Sequence, residues 1–304
     1  MENPSIIVRN ISRSYGSVKA LSDVSFEVPK GELFGFIGPD GAGKTTLFRI
    51  LATLVLPDEG TASVAGLDVV KDFKKIRKIL GYMPGRFSLY MDLSVEENLS
   101  FYATIFGTTI EKNYDLIKDI YRQIEPFKTR RAGKLSGGMK QKLALCCALI
   151  HKPDVILLDE PTTGVDAVSR MEFWEMLRRL KESNITIMVS TPYMDEASLC
   201  DRVALIQNGK IMKISRPEEI VAGYSHELLA VQSGKFFELM KDLRAYPGVH
   251  SVHAFGQAAH VASGKSALVS DDLRTYLVNT GHEDVMIKTI RPTIEDCFME
   301  LMVQ

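Results

Sequence analysis

The sequence predicts an α/β protein that is built on a parallel sheet covered by helices and is followed by a smaller α+β domain. Apolar runs that fit buried parallel strands lie at 33–37, 155–159 and 185–190, and helical patterns separate them. Alternation of strands and helices is typical of a parallel sheet with helices on its faces. Past Gly223 the patterns follow the order βαββαβ, which indicates a ferredoxin-like domain.

We place the domain boundary between residues 222 and 223. Residues 1–222 form the larger domain, in which 90–150 is a helical subdomain and strands near 5–30 and 61–66 form an antiparallel β subdomain. Residues 223–304 form the ferredoxin-like domain. Its expected elements are strands at 228–232, 249–255, 258–262 and 285–290, and helices at 236–246, 271–279 and 293–301.

Composition narrows the classes of function. A formal net charge of −1 argues against a nucleic-acid partner. We find no apolar run of the roughly 18 residues that a membrane span needs. The start lacks a basic region followed by an apolar stretch, so we expect no signal peptide and only a peripheral membrane role. The four cysteines lack metal-ligand spacing, and we expect them to be small buried residues in a reducing compartment.

A glycine-rich segment between an apolar strand and a helix fits the phosphate-binding pattern G-x-x-x-x-G-K-[ST]. Glycines let backbone N–H groups approach phosphate oxygens, and the helix N-terminus adds further donors. In this pattern Lys44 contacts the β- and γ-phosphates and Thr45 holds Mg²⁺. The alternative is a chance glycine-rich turn. The segment reads Gly38, Pro39, Asp40, Gly41, Ala42, Gly43, Lys44, Thr45 and Thr46.

A second segment, LSGGMKQ at 135–141, is uncommon outside one family of nucleotide-binding proteins. With the phosphate loop it makes residues 1–221 resemble an ATP-binding-cassette (ABC) ATPase. The resemblance implies a RecA-like P-loop core. It also implies that Ser136, Gly137 and Gly138 bind the γ-phosphate held by a partner subunit, so that the protein acts as a dimer.

The resemblance assigns further roles. Asp159 and Glu160, which end an apolar run, look like the Walker B pair: Asp159 orients the Mg²⁺ shell and Glu160 polarises the attacking water. Glu160 and Lys44 are therefore the expected catalytic residues, and Thr45 and Asp159 the metal ligands. Tyr15 corresponds to the aromatic residue that stacks on adenine. A solvated acid pair and a packing tyrosine are the alternatives.

Two positions depart from the family pattern. Gly85 stands where the family has the Q-loop glutamine, and Pro192 stands where it has the switch histidine. Proline has no side-chain donor, so that contact to the γ-phosphate is lost. We expect ATP affinity to survive better than turnover. The alternative is that other groups, such as Glu160 alone, sustain hydrolysis. We expect His151 to lie on the surface and to supply no replacement.

By resemblance the chain is the ATP-binding and ATP-hydrolysing subunit of an ABC-2 type exporter, with ATP and Mg²⁺ as ligands. Its partners would be separate transmembrane permease subunits, docked near Arg86–Tyr90, and a second ABC subunit, identical or different. The alternative for Phe87, Leu89 and Tyr90 is that they pack under the helical insert. It would lie in the cytoplasm, peripheral on the inner face of the plasma membrane. The alternatives are a catalytically weak regulatory ABC subunit and a soluble ABC ATPase without a transport role.

Overall fold

The computed structural model describes residues 4–86, 88–264 and 269–303. The chain divides into two compact units on either side of the Arg216–Pro217 bond. The helix Pro217–Ala222 thus belongs to the second unit. From the sequence we place the boundary after this helix, between residues 222 and 223. The terminal helix holds Pro217–Ala222 in the second unit, since the Sγ of Cys297 lies 3.5 Å from the Ile220 carbonyl.

Strands and helices alternate along the first unit. Its described strands are β1 (Ile6–Tyr15), β2 (Val18–Val28), β3 (Leu33–Ile37), β4 (Glu59–Val64), β5 (Leu67–Asp68), β6 (Leu80–Met83), β7 (Val155–Asp159), β8 (Thr186–Thr191), β9 (Arg202–Gln207) and β10 (Lys210–Ser215). Its described α-helices are α1 (Lys44–Leu51), α2 (Phe73–Ile79), α3 (Val95–Ile105), α4 (Tyr114–Tyr121), α5 (Gly137–Leu149) and α6 (Ala167–Glu182).

The central sheet has the strand order β10-β9-β3-β8-β7-β6 and is parallel except for β10 at one edge. Strands β3, β7 and β8 are buried along their whole length, as expected for strands covered on both faces. This order places the carboxyl ends of β3, β8 and β7 side by side. The predicted parallel core is confirmed, and it brings three chain segments that are distant in sequence to one edge.

The other two subdomains also form as predicted. Strands β2-β1-β4-β5 make an antiparallel sheet, and helices α3 to α5 make the helical insert. A capping box starts α3: the Ser94 Oγ accepts the Glu97 N–H, and the Glu97 carboxylate accepts the Ser94 N–H at 2.7 Å. That backbone hydrogen bond lowers the pKa of Glu97. None of the helices in the described ranges has both the length and the apolarity for crossing a bilayer.

The second unit has the predicted βαββαβ order, with a helix before it and one after it. Its elements are α7 (Pro217–Ala222), β11 (Leu228–Gln232), α8 (Phe236–Ala245), β12 (Val249–Phe255), β13 (Ala258–Ser263), α9 (Ser270–Asn279), β14 (Met286–Ile290) and α10 (Ile294–Val303). The sheet order is β12-β13-β11-β14, with antiparallel neighbours. Helices α8 and α9 pack on one face and form a core with Leu229, Val252 and Val261.

His151 is half-buried, so the expectation of an exposed surface residue is only partly met. Its ring stacks on Phe106 with centroids 3.8 Å apart, and its Nε2 lies 3.2 Å from the Leu80 carbonyl. Burial lowers the pKa of His151 to about 4, although the contact with the carbonyl acts in the opposite direction. The ring is therefore neutral in the folded protein at neutral pH.

The pKa of His151 predicts a pH dependence of stability. Between about pH 6.5 and 4 the unfolded chain takes up a proton on this ring and the folded chain does not. The free energy of unfolding should therefore fall over that interval as the pH is lowered, by about 1–3 kcal/mol. The single tryptophan, Trp174, is buried in α6 and reports unfolding of the first unit by fluorescence. His151→Gln should flatten the curve, whereas parallel curves would contradict the assignment.

Candidate nucleotide site

The phosphate-loop segment lies between β3 and α1, in close contact with its neighbours. A Cβ on Gly38 would stand 2.2 Å from the Ile206 carbonyl oxygen, and one on Gly43 would stand 2.3 Å from that of Ala20. Gly43 also has a φ of +104°, which L side chains rarely adopt. The backbone of β2 and β9 therefore fixes the loop, and these two glycines are required by space as well as by conformation.

Lys44 begins α1 and is almost fully buried, with 3% exposure. Its Nζ donates to the carbonyls of Gly38 at 2.8 Å and Pro39 at 3.0 Å. The same Nζ lies 3.2 Å from Oε1 of Glu160. A buried ammonium needs such acceptors, because it has lost the water that would solvate it. The two predicted catalytic side chains are thus in direct contact, although 116 positions separate them in the sequence (160 − 44).

Asp159 lies at the end of β7, 2% exposed, with two hydroxyl donors on one oxygen. The Oγ1 of Thr45 donates to its Oδ1 at 3.1 Å, and the Oγ of Ser190 donates to the same atom at 2.7 Å. The structure thus joins Thr45 and Asp159, the two predicted metal ligands. A hydroxyl beside a carboxylate offers the hard oxygen donors that Mg²⁺ prefers, so these residues fit that ion.

Ser190 is a site residue that our sequence analysis missed. Besides bonding to Asp159, its Oγ accepts the N–H of Glu160 at 3.0 Å. It stands opposite Asp159 in the parallel register of β7 and β8. The order of the strands brings Ser190 to this position, and no sequence motif marks it. The sequence signal that could have indicated Ser190 is that the apolar run at 185–190 ends in a polar residue.

Glu160 has a left-handed backbone conformation, with φ of +50°. Such a conformation is uncommon for a residue other than glycine, and its energetic cost is concentrated at functional positions in proteins. Its N–H is held by the carbonyl and by the side chain of Ser190, both at 3.0 Å. Its carboxylate is 23% exposed and faces Lys44. The turn therefore aims a carboxylate at the mouth of the phosphate loop.

Both positions that depart from the family pattern lie beside this arrangement. A Cβ on Gly85 would be 3.0 Å from the carbonyl oxygen of Asp159 and 3.8 Å from the Cβ of Glu160. Pro192 directly follows β8, whose Thr191 carbonyl accepts the N–H of Gly38 at 3.3 Å. The chain therefore presents no side-chain donor at these two places.

The signature segment begins α5, as predicted. The Oγ of Ser136 accepts the N–H of Met139 at 3.3 Å and caps the helix. A Cβ on Gly138 would be 2.7 Å from the Ser169 Oγ on α6, so this glycine lets the two helices approach closely. A Cβ on Gly137 would face the Gly164 carbonyl at 3.6 Å. These contacts are to α6 and to the segment after Glu160, not to the phosphate loop of the same chain.

Two other predicted ligand residues lie on the surface. Tyr15 ends β1, is 44% exposed, and has the Arg13 guanidinium 5.0 Å from its ring centroid. Asp40 is exposed in the phosphate loop, so its carboxylate can remain in water. The ring of Tyr15 is thus free of the core packing that our alternative interpretation required.

A cleft of about 570 Å³ adjoins the carboxylate of Glu160. Its walls come from β6, from the end of α3, from the whole length of α5 and from the segment after β7; they include Tyr82, Gly85, Phe106, Gln141, His151 and Glu160. Burial, with a smaller effect of nearby Asp159, raises the pKa of Tyr82 to about 12. Tyr82 and His151 are both neutral at pH 7, so they add no charge to this wall.

Comparisons with known proteins agree with this geometry. A family model described as "ABC transporter" matches residues 21–163, which include the phosphate loop, the signature and both acids. The Nod factor export ATP-binding protein I of Rhizobium sp. (strain N33) is 32% identical over 305 residues, covering 99% of this chain and 98% of the relative. The chain belongs to the ABC transporter family. The predicted resemblance is confirmed.

Other relatives extend the comparison within the ABC family. The probable multidrug ABC transporter ATP-binding protein YbhF of Escherichia coli (strain K12) is 38% identical over 288 residues, which are 93% of this chain and 49% of that protein. The ABC chain described here thus spans about half the length of that relative. A solved ATP-binding subunit of an ABC transporter matches with a TM-score of 0.65 and 27% identity, over 72% of this chain and 95% of the other.

Replacing Ser190 tests the hydrogen-bond network of the site. Ser190→Ala removes a donor from buried Asp159 and one of two acceptors from the Glu160 N–H. We expect it to lower the free energy of unfolding of the first unit by about 1–3 kcal/mol, as measured by urea titration of Trp174 fluorescence. Ser198→Ala is the control, since it removes an exposed bond to the Asp195 carbonyl and should change stability by less than about 0.5 kcal/mol. Equal effects would contradict the role given to Ser190.

Proposed function

We propose that this chain is the ATP-binding and ATP-hydrolysing subunit of an ABC exporter. The observation that carries the proposal is the meeting of two pairs at the ends of β3 and β7: Thr45 donates a hydrogen bond to Asp159, and Lys44 forms an ion pair with Glu160. A buried cation, a hydroxyl and two carboxylates at a helix N-terminus suit the binding and cleavage of a nucleoside triphosphate.

Each side chain has a proposed role. The ammonium of Lys44 exchanges its bonds to loop carbonyls for bonds to the β- and γ-phosphates, and the loop N–H groups of 38–46 hold the remaining oxygens. Thr45 and Asp159 would hold Mg²⁺, which when bound neutralises phosphate charge. Glu160 orients and polarises the attacking water. Tyr15 stacks on the adenine ring.

A dimer follows from the position of the signature. Ser136, Gly137 and Gly138 start α5 and contact α6 rather than the loop at 38–46. We propose that their N–H groups and the Ser136 hydroxyl bind the γ-phosphate held by a second ABC subunit, identical or different. ATP binding then closes the dimer, and hydrolysis with product release reopens it.

Export is supported by the names of the relatives, which include a Nod factor export protein and a probable multidrug transporter protein. We propose that the chain acts on the cytoplasmic face of the plasma membrane, with separate transmembrane permease subunits. We place their docking near Arg86–Tyr90, where Tyr90 is half exposed and packs against Phe101. Phe87, also part of that hypothesis, lies outside the described residues. Proteins that co-purify from detergent-solubilised membranes would identify the partners.

Two substitutions test the proposed site. Lys44→Ala should abolish most ATP binding in a calorimetric titration, because a methyl group cannot replace the ammonium. Glu160→Gln should keep ATP affinity within a few-fold and lower hydrolysis by about 10²–10⁴-fold, as expected for loss of a catalytic base. Lys75→Ala and Glu172→Gln, which alter partly exposed ion pairs, are the matched controls. Unchanged ATP affinity of the Lys44 variant would contradict the assignment.

Gly85 and Pro192 favour a second candidate function, a nucleotide-responsive subunit with weak catalysis. A missing donor to the γ-phosphate matters most as charge develops in the transition state, so it affects turnover more than binding. The site on this chain's own phosphate loop would then be slow. A different partner subunit, using Ser136, Gly137 and Gly138 of this chain, would hydrolyse ATP at the normal rate.

Single-turnover hydrolysis by the purified chain distinguishes the two candidates. We expect slow cleavage, and an increase of at least about tenfold in Pro192→His, because loss of such a donor commonly costs about 10²–10³-fold. Pro192→Ala is the control, since it removes the ring without adding a donor. Fast cleavage by the unmodified chain, with no gain in Pro192→His, would show that these positions do not limit the chemistry.

A further inference from the structure

The sheet of the second unit has a polar layer on the face opposite α8 and α9. Leu229, Val252 and Val261 point toward those helices. The alternate positions point the other way, where His253 and His260 are paired across β12 and β13. Helix α10 covers this face, since the Nδ1 of His260 lies 2.7 Å from Oδ1 of Asp296. Histidines and carboxylates therefore lie between the sheet and its terminal helix.

Three side chains converge at one end of this layer. His226 precedes β11, His250 lies at the bulge of β12, and Glu300 lies one turn after Asp296 on α10. The Nε2 of His250 is 3.0 Å and the Nε2 of His226 is 3.5 Å from the same Oε1 of Glu300. The three donor atoms all lie within 4.8 Å of one another. The separations of 3.0 and 3.5 Å bracket the edge of about 3.3 Å expected for ligands about 2.0–2.1 Å from a tetrahedral metal.

Hydrogen bonding fixes the orientation of His226. Its Nδ1 is 2.7 Å from the Ser263 carbonyl, which can only accept, so Nδ1 carries a proton. In the neutral ring Nε2 then carries a lone pair and no proton. That lone pair faces the carboxylate oxygen Oε1 of Glu300. Two acceptors face each other favourably only when a cation lies between them. An imidazole whose far nitrogen donates to a carbonyl is also the usual arrangement of a metal-binding histidine.

Metal binding at this cluster has one geometric requirement and one further donor atom. The rings of His226 and His250 are stacked, with centroids 4.3 Å apart and an angle of 14° between their planes. Parallel stacked rings hold their Nε2 lone pairs in separate planes, so binding of one ion by both rings requires one of them to rotate about its Cβ–Cγ bond. Glu300 keeps a second oxygen, Oε2, which is buried and has no hydrogen-bond partner among the described residues.

We propose that His226, His250 and Glu300 bind one divalent transition-metal ion, with Zn²⁺ as the best match. Two imidazoles and one carboxylate suit Zn²⁺, Ni²⁺ or Cu²⁺, while Mg²⁺ and Ca²⁺ prefer sets made of oxygen alone. The side chain of His250 is 35% exposed, which gives the ion a route from solvent and leaves room for a water ligand. The ion joins β12, the segment before β11 and α10, and so fastens the terminal helix to its sheet.

The test is a titration of the untagged full-length chain with ZnCl₂, without nucleotide, because ATP and polyhistidine tags bind the same ion. We expect about one Zn²⁺ per chain and a rise in the unfolding temperature of the second unit. Affinity should fall as the pH drops below 7, since both imidazoles must be deprotonated. Co²⁺ in the same site should show the visible absorption of a tetrahedral complex.

Three variants decide the outcome. His250→Gln alters a half-exposed side chain and should keep the fold, yet it should weaken Zn²⁺ binding by at least about 100-fold; loss of a supporting residue alone costs about 10–100-fold. Glu300→Gln should do the same. His260→Gln removes the neighbouring histidine–carboxylate pair and should bind Zn²⁺ as the unmodified chain does. Absence of stoichiometric binding by the unmodified chain, equal binding by His250→Gln and Glu300→Gln, or loss of binding in His260→Gln would each overturn the proposal.

Discussion

A lysine ammonium that is almost excluded from water is the constraint on which the first unit depends. Lys44 is stabilised only because two loop carbonyls and a carboxylate from another strand surround its Nζ. This requires β3 and β7 to lie near each other with their carboxyl ends aligned, and β8 between them supplies that alignment. The loop, the sheet order and the turn at Glu160 are therefore parts of one electrostatic arrangement.

Further contacts hold the parts of this arrangement in place. The Ser190 side chain forms hydrogen bonds with both Asp159 and the Glu160 backbone. At Gly38 and Gly43 the loop lies close to the backbone of β9 and β2. In the function that we propose, binding of a triphosphate exchanges hydrogen-bond partners at Lys44 and leaves the loop in place. Such preorganisation lowers the cost of placing charged groups around the reacting phosphate.

Local motifs predicted much of this protein, and strand order decided the rest. Lys44, Thr45 and Asp159 lie in short segments with recognisable motifs, so the sequence marked them as candidate site residues. Our sequence analysis did not identify Ser190, because only the parallel register of β7 and β8 places it next to Asp159. The triad of His226, His250 and Glu300 was missed for the same reason, since its members come from three elements of the second unit. The burial of His151 depends on stacking against Phe106, which no periodicity reveals.

The stacked His151 ring also determines whether binding in the cleft beside Glu160 depends on pH. Because its pKa is about 4, the imidazole keeps its neutral form throughout the range of pH found in living cells. A histidine with an ordinary pKa in such a wall would become charged on acidification and so make binding in the cleft depend on pH. Here that coupling is absent, so binding in the cleft at neutral pH involves no proton uptake or release at this ring.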